Sequence, residues 1–236
     1  MKRLNIDNLD QRSLAKTIDH SLLRPTAIEK ELREGCKIAE KYHTATVCVK
    51  PYQVKLASEI LADQDVKVST VIGFPHGGNS ARIKSLEAEQ AILDGAKELD
   101  MVMNIGALKS RKVDLIRNDI SRIVENARKH GDILIKVILE TCYLTDEEKE
   151  VACKLAEKAG VDYVKTSTGF APTGATVYDV ELMYKTVGPR LGVKATGGIR
   201  TLDQAFAMIR AGATRIGATA AEQIMEEWLR SQPNSK

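Results

Sequence analysis

Aromatic side chains are scarce in this chain of 236 residues: one Trp, three Phe and six Tyr make up 4% of it. That is too few rings for base-stacking platforms, and a net charge of +3 is too small to grip a phosphate backbone, so nucleic acid is not an expected partner. No segment has the length and apolarity of a transmembrane helix, so no membrane partner is expected either. The stretch from Met1 to Asp7 carries basic residues but no apolar signal core, and a cytoplasmic location is the expectation. Cysteines are few and scattered: Cys36, Cys48, Cys142 and Cys153 form no C-x-x-C pair and read as reduced thiols. His20, His43, His76 and His130 are widely spaced and show no H-x-H or H-E-x-x-H pattern, so no metal is expected. Linkers rich in Gly, Pro or Ser are missing, and no G-x-G-x-x-G follows the first strand, which removes the dinucleotide fingerprint.

At 43% hydrophobic, the chain can bury a sizeable core. Short β-prone runs alternate with helical patterns along its whole length. Strands are expected over 17–21, 44–49, 67–74, 99–104 and 133–140, within 163–169 and 193–198, each ending in a tight turn, and over 214–218. A helix over 4–15 precedes them, and a tail over 231–236 is expected to fray. Eight such strands make a single (β/α)8 barrel of residues 1–236, with a short N-terminal helix, the expected fold. A doubly wound open sheet is the alternative.

Two strands carry a lysine in matching positions ahead of a glycine-ended turn: Tyr163-Val164-Lys165-Thr166-Ser167-Thr168-Gly169, and Val193-Lys194-Ala195-Thr196-Gly197-Gly198. Burying an ammonium is costly, so each could be a paired or snorkelling side chain. Side chains alternate across a strand, so Asp100 and Lys136 on the preceding strands can face the same interior as Lys165 and Lys194. Barrel interiors are normally packed with branched apolar residues. A charged cluster there is either a compensated ion network or a catalytic site. A neutral lysine attacks a carbonyl to give a Schiff base. Lowering a lysine pKa from about 10.4 to about 7 takes roughly 4 to 5 kcal/mol. A second ammonium at about 4 Å supplies about 4 kcal/mol at an effective dielectric of 20. On this reading Lys194 accounts for most of the shift in Lys165 in a half-buried site, and Asp100 and water are the candidates for the proton shuttle. Gly169, Gly197, Gly198 and Gly217-Ala218-Thr219 offer backbone N–H groups for a phosphate, beside the start of the last helix.

These segments resemble the deoxyribose-phosphate aldolase family. The resemblance covers nearly the whole chain: Ile18-Asp19-His20-Ser21, Val47-Cys48-Val49, Val71-Ile72-Gly73-Phe74-Pro75, Leu99-Asp100-Met101-Val102, Lys136 to Thr141, V-K-T-S-T-G, V-K-A-T-G-G-I-R and R-I-G-A-T. It implies a (β/α)8 barrel and a metal-independent class I aldolase without cofactor. The implied reaction is reversible cleavage of 2-deoxy-D-ribose 5-phosphate to D-glyceraldehyde 3-phosphate and acetaldehyde, in deoxyribose phosphate catabolism. By resemblance Lys165 is the Schiff-base lysine, Lys194 the lysine that perturbs it and Asp100 the proton relay. Gly169, Gly197, Gly198, Gly217 and Thr219 match phosphate loops, and Ser21 keeps a hydroxyl where threonine is frequent. Cys48 and Lys136 are further candidates. Two departures concern the phosphate: Phe170 stands where lysine is frequent, and Thr219-Ala220 where serine is. A homo-oligomer, dimer or tetramer, is also implied. The rival readings are another Schiff-base phosphosugar aldolase such as a transaldolase, and a phosphosugar-binding barrel without chemistry.

Overall fold

A computed structural model describes residues 3–232. Its strands are β1 (Ile18–Ser21), β2 (Thr46–Val49), β3 (Lys67–Ile72), β4 (Glu98–Val102), β5 (Leu134–Ile138), β6 (Tyr163–Lys165), β7 (Gly192–Thr196) and β8 (Arg215–Ala218). They are parallel and close in sequence order into a barrel of eight, with β8 pairing back onto β1. This is the (β/α)8 fold expected from the alternating pattern, not an open sheet.

The helices wrap the barrel. They are α1 (Gln11–Ala15), α2 (Glu29–Tyr42), α3 (Val54–Ile60), α4 (Ala81–Leu93), α5 (Ile105–Lys109), α6 (Val113–Arg128), α7 (Asp146–Lys158), α8 (Val177–Val187), α9 (Leu202–Ala211) and α10 (Ala221–Ser231). Outward-facing strand residues such as Val47, Leu99, Met101, Val137, Val164, Val193 and Ile216 are fully buried against this layer and form the main core. Strands buried on both faces read as continuous runs in sequence. Local chemistry sets the ends. Thr145 and Glu148 form the capping box at the start of α7, and Thr201 with Gln204 does the same for α9.

Several boundaries differ from the sequence reading. The helix expected over 4–15 is a short 3₁₀ turn at Ile6–Asn8 followed by α1, because the Asp10 side chain accepts from Ser13 N–H at 2.7 Å and starts a new helix there. Asn104 does not continue β4. Its side chain accepts from Ala107 N–H at 3.0 Å and caps α5, so it leaves the face of Asp100. Two helices, α5 and α6, follow in place of one, with Arg111 in the left-handed region at φ 56° between them. At the C-terminus Ser231 is still helical, and 233–236 of the expected frayed tail lie outside the described residues.

Candidate active site

The barrel interior is charged. Paired residues of parallel neighbours point to the same side. Register therefore carries Asp100 of β4 to Lys136 of β5, and Lys165 of β6 to Lys194 of β7 and on to Arg215 of β8. Lys136, Lys165, Lys194, Asp19 and Asp100 are all at most 1% exposed. Asp100 holds them together. Its Oδ1 accepts from Lys136 Nζ at 2.8 Å, and its Oδ2 accepts from both Lys165 Nζ and Lys194 Nζ at 2.7 Å. The two lysine nitrogens thus lie within twice 2.7 Å of each other. The four residues that sequence reading brought to one interior meet in one cluster.

The carboxylates are unevenly shared. Lys194 also donates to Asp19. Lys136 pairs with Glu98 at 2.6 Å and lies 3.8 Å from Asp19. Arg215 Nη1 donates to Asp19 at 2.6 Å and to Glu98 at 3.0 Å. Among the described residues Lys165 pairs with Asp100 alone, on an oxygen it shares with Lys194. Three carboxylates, Asp19, Glu98 and Asp100, thus face four cationic groups. With every group ionised the cluster carries one positive charge too many, and a buried excess charge is expensive. Loss of the proton from the least compensated base, Lys165, balances it.

The pKa directions follow this geometry. Lys165 is pushed below the usual lysine range, first by burial and then by the Lys194 cation, against the pull of Asp100. Burial opposes the charge of Lys194 too, but Asp100 and Asp19 overcome it and hold Lys194 above the usual range. Lys136 is raised by Asp100, Glu98 and Asp19 against its own burial. Asp100 is held far below the carboxylate range, its burial outweighed by Lys136, Lys165 and Lys194. The expectation that one cation in a half-buried site accounts for most of the Lys165 shift is therefore corrected. Lys165 is 1% exposed, so desolvation leads, and Asp100 lies between the two ammonium groups and offsets their repulsion.

A hydrogen-bond scaffold fixes the strand ends above the lysines. Thr166 N–H donates to the Lys194 carbonyl, and Thr196 N–H donates to Thr166 Oγ1 at 3.1 Å. Glu140, left-handed at φ 55°, accepts from the Thr168 N–H at 3.1 Å and from its hydroxyl. That bond orders the turn entering Gly169. Cys48 is buried on the inward face of β2, in register with Ser21 and Ser69, and burial raises its thiol pKa. His20 is not at the mouth. It alternates with Asp19 and so faces away from the interior, buried, with its pKa pushed down to about 4 by that burial.

Above the lysines a cleft of about 250 Å³ is lined by Ser21, Gly169, Gly197, Gly198, Gly217 and Thr219, among others. These are all of the residues expected to hold substrate or phosphate, from four strand ends. Gly169, Gly197 and Gly198 have φ of 87°, 94° and 83°, which only glycine adopts at little cost. α10 starts at Ala221, two residues beyond Thr219, so the positive end of its dipole adjoins the cleft. Arg24 and Arg200 are also on its wall. Gly217 serves a second purpose: a Cβ there would lie 3.1 Å from Lys194 Cε and collide with Thr196 Oγ1. Substituting Gly217 therefore disturbs the lysine as well as the cleft.

Asp19, Glu98 and Arg215 are not singled out by the sequence reading. Alternation was the available signal, since Asp19 precedes Ser21 by two on β1, Glu98 precedes Asp100 by two on β4, and Arg215 precedes Gly217 by two on β8.

The model of the DeoC/LacD family aldolases matches residues 6–225. The chain belongs to this aldolase family. Curated relatives agree. The deoxyribose-phosphate aldolase of Caldanaerobacter subterraneus subsp. tengcongensis is 54% identical over 216 residues, 92% of this chain and 94% of that protein. The enzyme of the same name from Thermococcus kodakarensis is 51% identical over 220 residues, covering 92% and 98%. Among solved structures, the aldolase QR15 superposes with a TM-score of 0.88 at 44% identity, covering 92% of this chain and 96% of that one. The tetrameric deoxyribose phosphate aldolase of Aeropyrum pernix gives 0.89 at 32% identity, covering 96% and 95%. Within the family fold, the glycine cleft lies at the C-terminal ends of the strands, where barrel enzymes carry their sites, and the lysine cluster lies in the barrel interior beneath it. Among the described residues no helix is long and apolar enough to cross a membrane.

Proposed function

We propose that this family member is a class I aldolase that reversibly cleaves 2-deoxy-D-ribose 5-phosphate to D-glyceraldehyde 3-phosphate and acetaldehyde, the activity carried by the name of its relatives. The observation that carries the reading is the charge imbalance around Lys165, the one base of the cluster with a single, shared carboxylate. The neutral Lys165 amine attacks the C1 aldehyde, and loss of water leaves a protonated imine. The C3 hydroxyl gives up its proton, the C2–C3 bond breaks, and its electron pair moves into the imine to form the enamine of acetaldehyde. Glyceraldehyde 3-phosphate leaves. Protonation at C2 and attack of water on the imine then release acetaldehyde and restore Lys165. Asp100, held ionised, and Lys194, held protonated, are the acid–base pair within reach of the Lys165 nitrogen. Lys136 keeps Asp100 in place from the other oxygen. Cys48, on the inward face of β2, is a wall of the reaction chamber.

The phosphate is held in the cleft by backbone N–H groups at Gly169, Gly197, Gly198 and Gly217, with Ser21 and Thr219 beside them. Charge-assisted bonds of this kind are worth about 1.5 to 3 kcal/mol each, so several suffice without the frequent lysine. The enzyme is read as cytoplasmic and as a homo-oligomer, and the tetrameric neighbour supports the second of these.

The test is acetaldehyde release from deoxyribose 5-phosphate in excess EDTA. Undiminished release is expected. Release that requires an added divalent metal, or none from this substrate under any condition, would overturn the reading.

A further inference from the structure

A second cleft, of about 370 Å³, opens beside the glycine cleft and shares Leu23 and Phe170 with it. Its volume is at the lower end of the range for small-molecule sites. Phe74 and Phe170 meet edge to face on its wall, ring centroids 5.3 Å apart and planes at 88°. Below them Leu23, Val71 and Cys48 pack with Phe74 into a small apolar cluster separate from the main core. Val71 is in register with Asp100. One apolar wall therefore runs from the aromatic pair at the rim to the strand position next to the Asp100–Lys165 pair. The charged groups on this cleft are engaged elsewhere. Lys50 Nζ donates to the carbonyls of Ala27 at 2.8 Å and Pro25 at 3.2 Å, and Glu87 accepts from Gly73 N–H at 2.7 Å. The cleft thus offers a carbon surface and little for a phosphate. Phe170 nevertheless stays 47% exposed at the mouth of the site and belongs to neither apolar core cluster.

We propose that this cleft is a subsite for the carbon chain of an unphosphorylated, apolar acceptor aldehyde, with Phe170 as its specificity-determining residue; this rests on the aldolase reading above. In the synthetic direction the acetaldehyde enamine on Lys165 attacks the acceptor carbonyl carbon. One C–C bond forms, the carbonyl π bond breaks, its oxygen takes a proton, and water releases the product from the imine. With the acceptor carbonyl at Lys165, the rest of its chain has two exits. A phosphate-ended chain takes the glycine cleft, and an alkyl chain takes the Leu23–Val71–Phe74–Phe170 wall.

The experiment measures kcat/KM for addition of acetaldehyde to propanal, butanal, pentanal, hexanal and glyceraldehyde 3-phosphate, in the wild type, Phe170→Ala and Phe170→Lys. In the wild type each added methylene should raise kcat/KM, by up to about fourfold where it is fully buried. Both variants should flatten the series. Phe170→Lys should also raise kcat/KM for glyceraldehyde 3-phosphate by about tenfold or more, the worth of one charge-assisted bond. A flat wild-type series, an unchanged slope in the variants, or an equal fall for all acceptors in both variants would overturn the subsite. If the wild type adds acetaldehyde to glyceraldehyde 3-phosphate but the series is flat, the subsite alone fails. If it adds acetaldehyde to no acceptor at all, the aldolase reading fails with it.

Discussion

Lys194→Met is expected to lower cleavage of deoxyribose 5-phosphate at pH 7 by about 100-fold or more, the usual worth of a positioned acid–base group. It should also move the acid limb of the kcat/KM profile to higher pH. Methionine keeps the length and apolar stem of Lys194 and removes its charge. In the wild type that charge repels the Lys165 ammonium and also takes half of Asp100 Oδ2. Without it, Asp100 Oδ2 belongs to Lys165 alone, and the cluster falls to three cationic groups facing three carboxylates. Both changes favour the protonated amine. The pKa of Lys165 therefore rises, and each unit costs tenfold in neutral amine at pH 7. The shift is partial, because burial is the leading cause of the low pKa and is untouched. A pH profile measured across the neutral and alkaline range checks this. An unchanged acid limb would mean that desolvation alone tunes Lys165.

Asp100→Asn is expected to cost both stability and turnover. The carboxylate accepts from three lysines, and an amide in its place turns an NH₂ group toward at least one of them. Removing one partner of a buried ion pair typically costs about 3 to 5 kcal/mol. For a chain of this size that corresponds to a fall in Tm of about 6 to 20 °C. Four cationic groups would then face Asp19 and Glu98 only, which further disfavours a charge on Lys165. Imine formation should therefore survive better than turnover, while proton transfer falls by about 10² to 10⁴-fold. The check is the fraction of enzyme reduced by borohydride with acetaldehyde, set beside the steady-state rate and the melting curve of the same variant. Equal losses in trapping and turnover would remove the relay role of Asp100.

Much of the barrel and its lysine pair is legible in the amino-acid sequence. Parallel strands buried on both faces give continuous apolar runs, and a lysine inside such a run stands out, so Lys165 and Lys194 can be placed on adjacent strands. The glycines can be assigned to one cleft because each follows a strand end. The charge arithmetic is not legible. Asp19 and Arg215 meet only because β1 closes onto β8, and a pairing between the ends of the chain leaves no local signature. The depth of burial is hidden for the same reason. Without the closed barrel a half-buried lysine is the natural assumption, and it gives Lys194 the leading part that belongs to desolvation. Asn104 illustrates a further limit. Its short side chain competes for backbone N–H groups, so an alternating strand pattern ends in a helix cap.

The central claim is that Lys165 is the neutral, nucleophilic lysine and Lys194 the charged one. Reduction of the enzyme with borohydride in the presence of acetaldehyde, followed by peptide mapping, tests it directly, because only an imine becomes a stable ethylamine. The account predicts one ethyl group per chain, on Lys165, with Lys194 and Lys136 unmodified. An adduct confined to Lys194 would contradict it, and so would a fully active enzyme that traps none.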